Sequence, residues 1–142
     1  MAFNAYLIKL KGVGSGQNEE LPMKYMGLAS YSCTPDQRME SKANRATTGL
    51  LHRTTVEHKA TKIEFETPNI TNTDLAQLNA MFARHYTDPL QRRLTIEYYD
   101  METDSYREAD CYMPDVQYKI QRVDLVHNTI VYNPVRFAFI EY

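Results

Sequence analysis

The chain has 142 residues, and 16 Lys+Arg against 18 Asp+Glu leave a formal net charge of −2, which steers it toward neither nucleic acid nor an anionic membrane. Hydrophobic residues make up 43% and charged residues 24%, the balance of one globular domain over 1–142 rather than a disordered chain. Cys33 and Cys111 are too few and too far apart for a disulfide framework or a metal knuckle, and read as two reduced, partly buried thiols.

At the N-terminus, Phe3, Ala5 and Leu7 alternate with Asn4, Tyr6 and Ile8, which fits a first strand over about 2–11. The segment lacks the basic start and long apolar run of a secretion signal. No apolar run in the chain is long enough to span a bilayer, so the expectation is a soluble product made in the cytoplasm. The run Gly12-Val13-Gly14-Ser15-Gly16 lacks the Lys-Ser/Thr of a phosphate-binding loop and leads into Glu19-Glu20, which would repel phosphate. It reads as a hairpin turn or mobile loop.

A short strand is predicted over 25–33. Residues 35–49, PDQRMESKANRATTG, hold almost no large apolar side chain. Such a segment cannot bury itself, so it is an exposed loop or an arm ordered by a partner. Residues 50–59 read as a strand. In 60–66, Ile63 and Phe65 alternate with Lys62, Glu64 and Glu66, giving an inward and an outward face, and Thr67-Pro68-Asn69 stops the strand. A helix is predicted over 72–86. Thr71 with Asp74 resembles a capping box, and Leu75, Leu78 and Phe82 form an apolar stripe with Met81 and His85 at its margins. That stripe suits a helix lying on a sheet, and Asp88-Pro89 closes the region.

Arg92 to Met113 has the clearest pattern. Leu94, Ile96 and Tyr98 alternate with Arg93, Thr95, Glu97 and Tyr99; after the polar run Asp100 to Ser105, Tyr106, Glu108, Asp110 and Tyr112 alternate with Arg107, Ala109, Cys111 and Met113. This is a long β-hairpin with arms of about 23 Å. Further strands are expected over 116–126 and 129–142, the latter interrupted by Asn133-Pro134, with Val135, Phe137 and Phe139 on one face. Seven or eight strands and one helix make the chain mainly β (α+β): an antiparallel β-sandwich or a partly closed barrel with one flanking helix.

No chemical constellation emerges. His52 and His58 lie about 20 Å apart on an extended strand, and with His85 and His127 they read as solvated or packed. Glu64 with Glu66 faces outward, and the turn carboxylates Asp100, Glu102 and Asp104 lack an apolar pocket to raise a pKa. Those three fill the first ligand positions of a calcium loop, but Ser105 replaces the glycine and Cys111 the final glutamate. No catalytic, cofactor-binding or metal-binding residue is nominated, and a non-enzymatic role is expected.

The order of elements resembles the tail-tube and baseplate-hub (distal-tail-like) superfamily of bacteriophages and prophages. The resemblance rests on the segment Arg45-Ala46-Thr47-Thr48-Gly49-Leu50-Leu51-His52-Arg53, on Tyr98-Tyr99-Asp100 with Thr103, and on Tyr106 to Tyr112-Met113. It implies a structural subunit of a virion tail, made in the bacterial host cytoplasm, that assembles into rings, commonly homo-hexamers. Other tail proteins would be its neighbours, and DNA would at most pass through the lumen without sequence-specific binding. The implied subunit contacts are the charged loop and the long hairpin, with Arg45, Gly49, Arg53, Tyr98, Tyr99, Asp100, Glu102, Asp104, Tyr106 and Tyr112 as candidate interface residues. Tyr and Arg are the residue types such contacts favour. The alternative is a monomeric β-barrel carrying a small ligand, which requires an interior poor in bulky residues; Ile63, Phe65, Leu94, Ile96, Phe137 and Phe139 would fill it.

Overall fold

A computed structural model describes residues 3–46 and 49–142, with side chains other than those of 39–45, 52 and 54–59. The strands are β1 (Ile8–Leu10), β2 (Glu19–Glu20), β3 (Ser32–Arg45), β4 (Leu51–Glu66), β5 (Ile70–Thr71), β6 (Tyr86–Asp88), β7 (Arg93–Asp100), β8 (Ser105–Tyr112), β9 (Ile120–Asp124), β10 (Thr129–Tyr132) and β11 (Arg136–Glu141), and the α-helix α1 is Asn72–Arg84. The large sheet runs β2-β1-β7-β8-β11-β4-β3, with β6 beside β7, and the small one runs β5-β10-β9. All pairings are antiparallel. The sheets do not close into a barrel, so the architecture is mainly β, sandwich-like, with one helix.

Period-2 alternation places the core. Leu94, Ile96 and Tyr98 of β7, Ile63 and Phe65 of β4, and Phe137 and Phe139 of β11 all turn to the same buried face. Helix α1 covers that face with Leu75, Leu78 and Phe82. The Phe82 ring lies 5.2 Å from Phe137 and 5.9 Å from Phe139. Burial of one such aromatic ring removes enough apolar area to stabilise the fold by about 2–3 kcal/mol. Thr71 caps the helix: its hydroxyl accepts from the Asp74 N–H at 3.3 Å. The C-terminus is held by His85, whose ring is buried, with Nδ1 2.7 Å from the Lys11 carbonyl and Nε2 3.0 Å from Glu19. The helix therefore ends before Tyr86, which instead begins β6.

Several local expectations change: the strands expected over 2–11 and 116–126 shorten to β1 and β9. The strand predicted over 25–33 is present only from Ser32, where β3 begins; two single-turn 3-10 helices, Met23–Tyr25 and Leu28–Ser30, precede it. The predicted loop 35–49 is mostly strand: β3 continues to Arg45 and pairs with β4 as far as Leu51. Residues 50–59 and 60–66 are one strand of 16 residues. At Asn133-Pro134 the chain leaves the small sheet for the large one, where the Thr67 N–H donates to Val135 O at 2.9 Å and the Val135 N–H to Thr67 Oγ1 at 3.0 Å. No helix among the described residues is long and apolar enough to cross a membrane.

Candidate interaction surface

The β3–β4 ribbon is the outstanding surface element. Residues 62–66 of β4 are flanked on the far side by β11, from Glu66↔Arg136 to Lys62↔Ile140. From Thr61 to Leu51 the strand has, among the described residues, only β3 beside it. These eleven residues, ten strand rises, make a two-stranded ribbon about 33 Å long. Register shifts at Thr34/Gln37, Arg38/Glu40 and Glu40/Lys42 are bulges, which add twist and turn a ribbon away from its sheet. At the tip, Gly49 takes φ +87, a conformation that costs glycine nothing, and its N–H donates to Ala46 O at 2.8 Å.

The ribbon's root is bolted to the β7–β8 hairpin. Asp36, with φ +48, receives both terminal nitrogens of Arg107, at 2.8 and 3.0 Å. The same guanidinium lies 3.3 Å from Asp100. Asp100 is fully buried and also accepts from the Glu102 N–H at 2.9 Å and the Thr103 hydroxyl at 3.1 Å. The hydrogen bond to Asp36, opposed by partial burial, raises the guanidinium pKa further above its ordinary value, so Arg107 is always charged. On the other strand, Thr61 Oγ1 accepts from the Asp36 N–H at 3.1 Å and sits 3.1 Å from the Tyr98 hydroxyl.

The candidate residues separate into three groups. Arg45, Gly49 and Arg53 belong to the ribbon: Gly49 and Arg53 are exposed, and the Arg45 side chain lies outside the described residues, as do Thr47 and Thr48 of its motif. Glu102 and Asp104 are exposed in the hairpin turn. The remainder are engaged within the chain. Tyr98 is 1% exposed and Asp100 0%, so neither has surface to offer a neighbour: Tyr98 shares the inward phase of Leu94 and Ile96, and Asp100 is drawn in by Arg107.

Tyr99 and Tyr106 lie on the outer face of the large sheet beneath the N-terminal segment. Phe3 meets Tyr99 edge-on at 5.3 Å and Tyr6 stacks on Tyr106 at 4.4 Å. The Tyr106 hydroxyl donates to Tyr6 O at 2.7 Å and accepts from the Asn4 N–H at 2.8 Å. The Tyr99 hydroxyl bonds to Asp104, and that of Tyr6 to Glu97. Tyr112 is 5.4 Å from Tyr142, whose ring also carries Arg93 at 4.3 Å.

Asp36, Thr61 and Arg107 were missed at the sequence level. One signal was present: Arg107 occupies the inward phase of Ala109, Cys111 and Met113, where a charge demands a partner. Among the described residues no group of three His, Cys, Asp or Glu is placed to hold a metal. The two cysteines are unpaired, and burial first of all pushes the Cys33 thiol up to about 11 and that of Cys111 up to about 12; neither is an activated nucleophile.

The sequence profile of a family of unknown function (DUF6711) matches residues 1–142, and the chain belongs to that family. Neither the curated proteins nor the solved structures gave a match.

Proposed function

We propose that this member of DUF6711 is a non-enzymatic structural subunit of a phage or phage-like tail, assembling into a ring through its β3–β4 ribbon. The observation that carries the reading is the ribbon itself. A two-stranded ribbon without a third strand or a covering face is marginal in water, and a chain that builds one of this length gains most by laying it on another subunit. The stretch 42–56 holds Lys42, Arg45 and Arg53 and no acid, and Leu50 and Leu51 are exposed at the tip. A basic and apolar tip suits an acidic and apolar acceptor, which the exposed turn Met101, Glu102 and Asp104 offers on a second copy. The placement in a tail, the sixfold ring order and the tail proteins as neighbours rest on the resemblance of motifs described above. The filled interior, with Phe65, Phe82, Phe137 and Phe139 fully buried, leaves the ligand-carrier alternative without a lumen.

The test is light scattering coupled to size exclusion, with electron microscopy of the same fractions. The intact chain is expected to run as a ring of about six subunits. A variant with 39–58 replaced by an Asn-Gly turn is expected to fold as a species that forms no rings. An intact chain that stays monomeric at tens of micromolar would overturn the reading.

A further inference from the structure

We infer that the free edge of β9 pairs with the same edge of a second copy of this chain across a two-fold axis. β9 ends the small sheet: among the described residues β10 lies on one side of it and no strand on the other. Its open side presents unpaired backbone groups, the kind of template that adds a further strand. Four exposed apolar side chains lie at or beside it. Ile120 and Val123 are 55% and 54% exposed, and Leu125 and Val126 in the following turn 83% and 86%.

The occupant follows from charge. The ribbon of a neighbour is a poor match, because its distal stretch is basic and the segment around β9 carries Lys119 and Arg122 against Asp124 alone. The edge matches itself. In the antiparallel register centred on Val123, Arg122 of each strand stands opposite Asp124 of the other. Val123 then meets Val123, at the centre of the regular stretch Arg122 to Asp124. Opposite charges and apolar pairs directly across a ladder are the pairings that stabilise antiparallel strands. A register one residue shorter sets Arg122 against Arg122, which disfavours it. The Asp124 carboxylate also closes the following turn: the His127 ring, 2.8 Å from its Oδ2, and the His127 and Val126 N–H groups on its Oδ1 keep its carboxyl below the ordinary range. The contact is isologous, so it closes on itself and is independent of the heterologous contact that builds a ring. Where both form, it joins two rings face to face.

The experiment uses the full chain. Val123→Cys is expected to form a disulfide-linked dimer under mild oxidation, since residues facing across an antiparallel ladder lie within disulfide reach. Gln121→Cys, whose partner position lies beyond the end of the strand, is expected to remain unlinked. Arg122→Asp is expected to weaken the dimer about tenfold, and the exchange Arg122→Asp with Asp124→Arg to restore it. Far-ultraviolet circular dichroism verifies that each variant is folded. A folded Val123→Cys chain that does not cross-link, or one that links only to Cys33 of another chain, overturns the inference. So does a double variant no tighter than Arg122→Asp. Rings without the 123–123 link overturn this contact alone, and linked dimers without rings overturn the ring reading alone.

Discussion

Asp100 is closed off from water at the end of β7, and a carboxylate there is tolerable because Arg107, the Thr103 hydroxyl and the Glu102 N–H surround it. Removing the guanidinium strands that charge and releases Asp36 at the root of the ribbon. Arg107→Ala is expected to lower unfolding stability by about 2–3 kcal/mol, and Glu108→Ala, on the exposed phase beside it, to change it by less than about 0.5 kcal/mol; urea denaturation measures both. The second residue-scale case is Glu19. The Arg84 guanidinium, 3.0 Å from each carboxylate oxygen, and then His85 hold its pKa below the ordinary 4.5. A carboxylate lowered by folding adds stability that is present above its ordinary pKa and lost as pH falls through the lowered one. The melting temperature of Glu19→Gln is therefore expected to lie below that of the parent at pH 7. The gap should close as pH drops beneath about 4.5; a gap that persists at pH 2 would show a different origin.

At the scale of elements, α1 stands on one strong start signal. Thr71→Ala removes the acceptor for the Asp74 N–H and is expected to cost about 1 kcal/mol, seen as a lower melting temperature with unchanged helix content at 20 °C. The sequence reading assigns contacts to both the charged loop 35–49 and the long hairpin, and the structure places the two differently. β7 and β8 pair along their whole length, Arg93↔Tyr112 to Asp100↔Ser105, and each has a further neighbour, β1 and β6 beside β7 and β11 beside β8. That hairpin is the middle of the sheet and holds the core. The hairpin free to reach a neighbour is β3–β4, half of which reads as loop from composition.

For the whole molecule, the described chain has edges at β2, β3, β5, β6 and β9, and along β4 beyond the end of β11. β2 and β5 are two residues long and β6 three, so the β3–β4 ribbon and β9 are the edges with length enough to pair. A ribbon that reaches a neighbour gives a directional contact, which builds rings or open filaments, whereas a β9 edge meeting its own copy gives a closed pair. The two contacts predict distinct masses in solution, a ring, a dimer or a double ring, so the measurements proposed above separate them.

The amino-acid sequence by itself determined what a one-sided burial pattern can write locally. Ile63, Phe65, Leu94, Ile96, Phe137 and Phe139 face inward as their alternation requires, the Leu75–Leu78–Phe82 stripe packs on the sheet, and the cap at Thr71 sits where its spacing puts it. Each is a short-range signal, because strand and helix periods report which side of a segment leaves water. Tertiary structure alone decided the rest. β3 carries no apolar alternation through 35–45, and its strand conformation comes from pairing with β4 rather than from a buried face of its own. Asp36 and Arg107 stand 71 positions apart and meet only because the ribbon root crosses the β7–β8 hairpin. The burial of Asp100, the change of sheet at Asn133-Pro134 and the open edge of β9 depend likewise on which strands lie side by side, a non-local choice that no local period records.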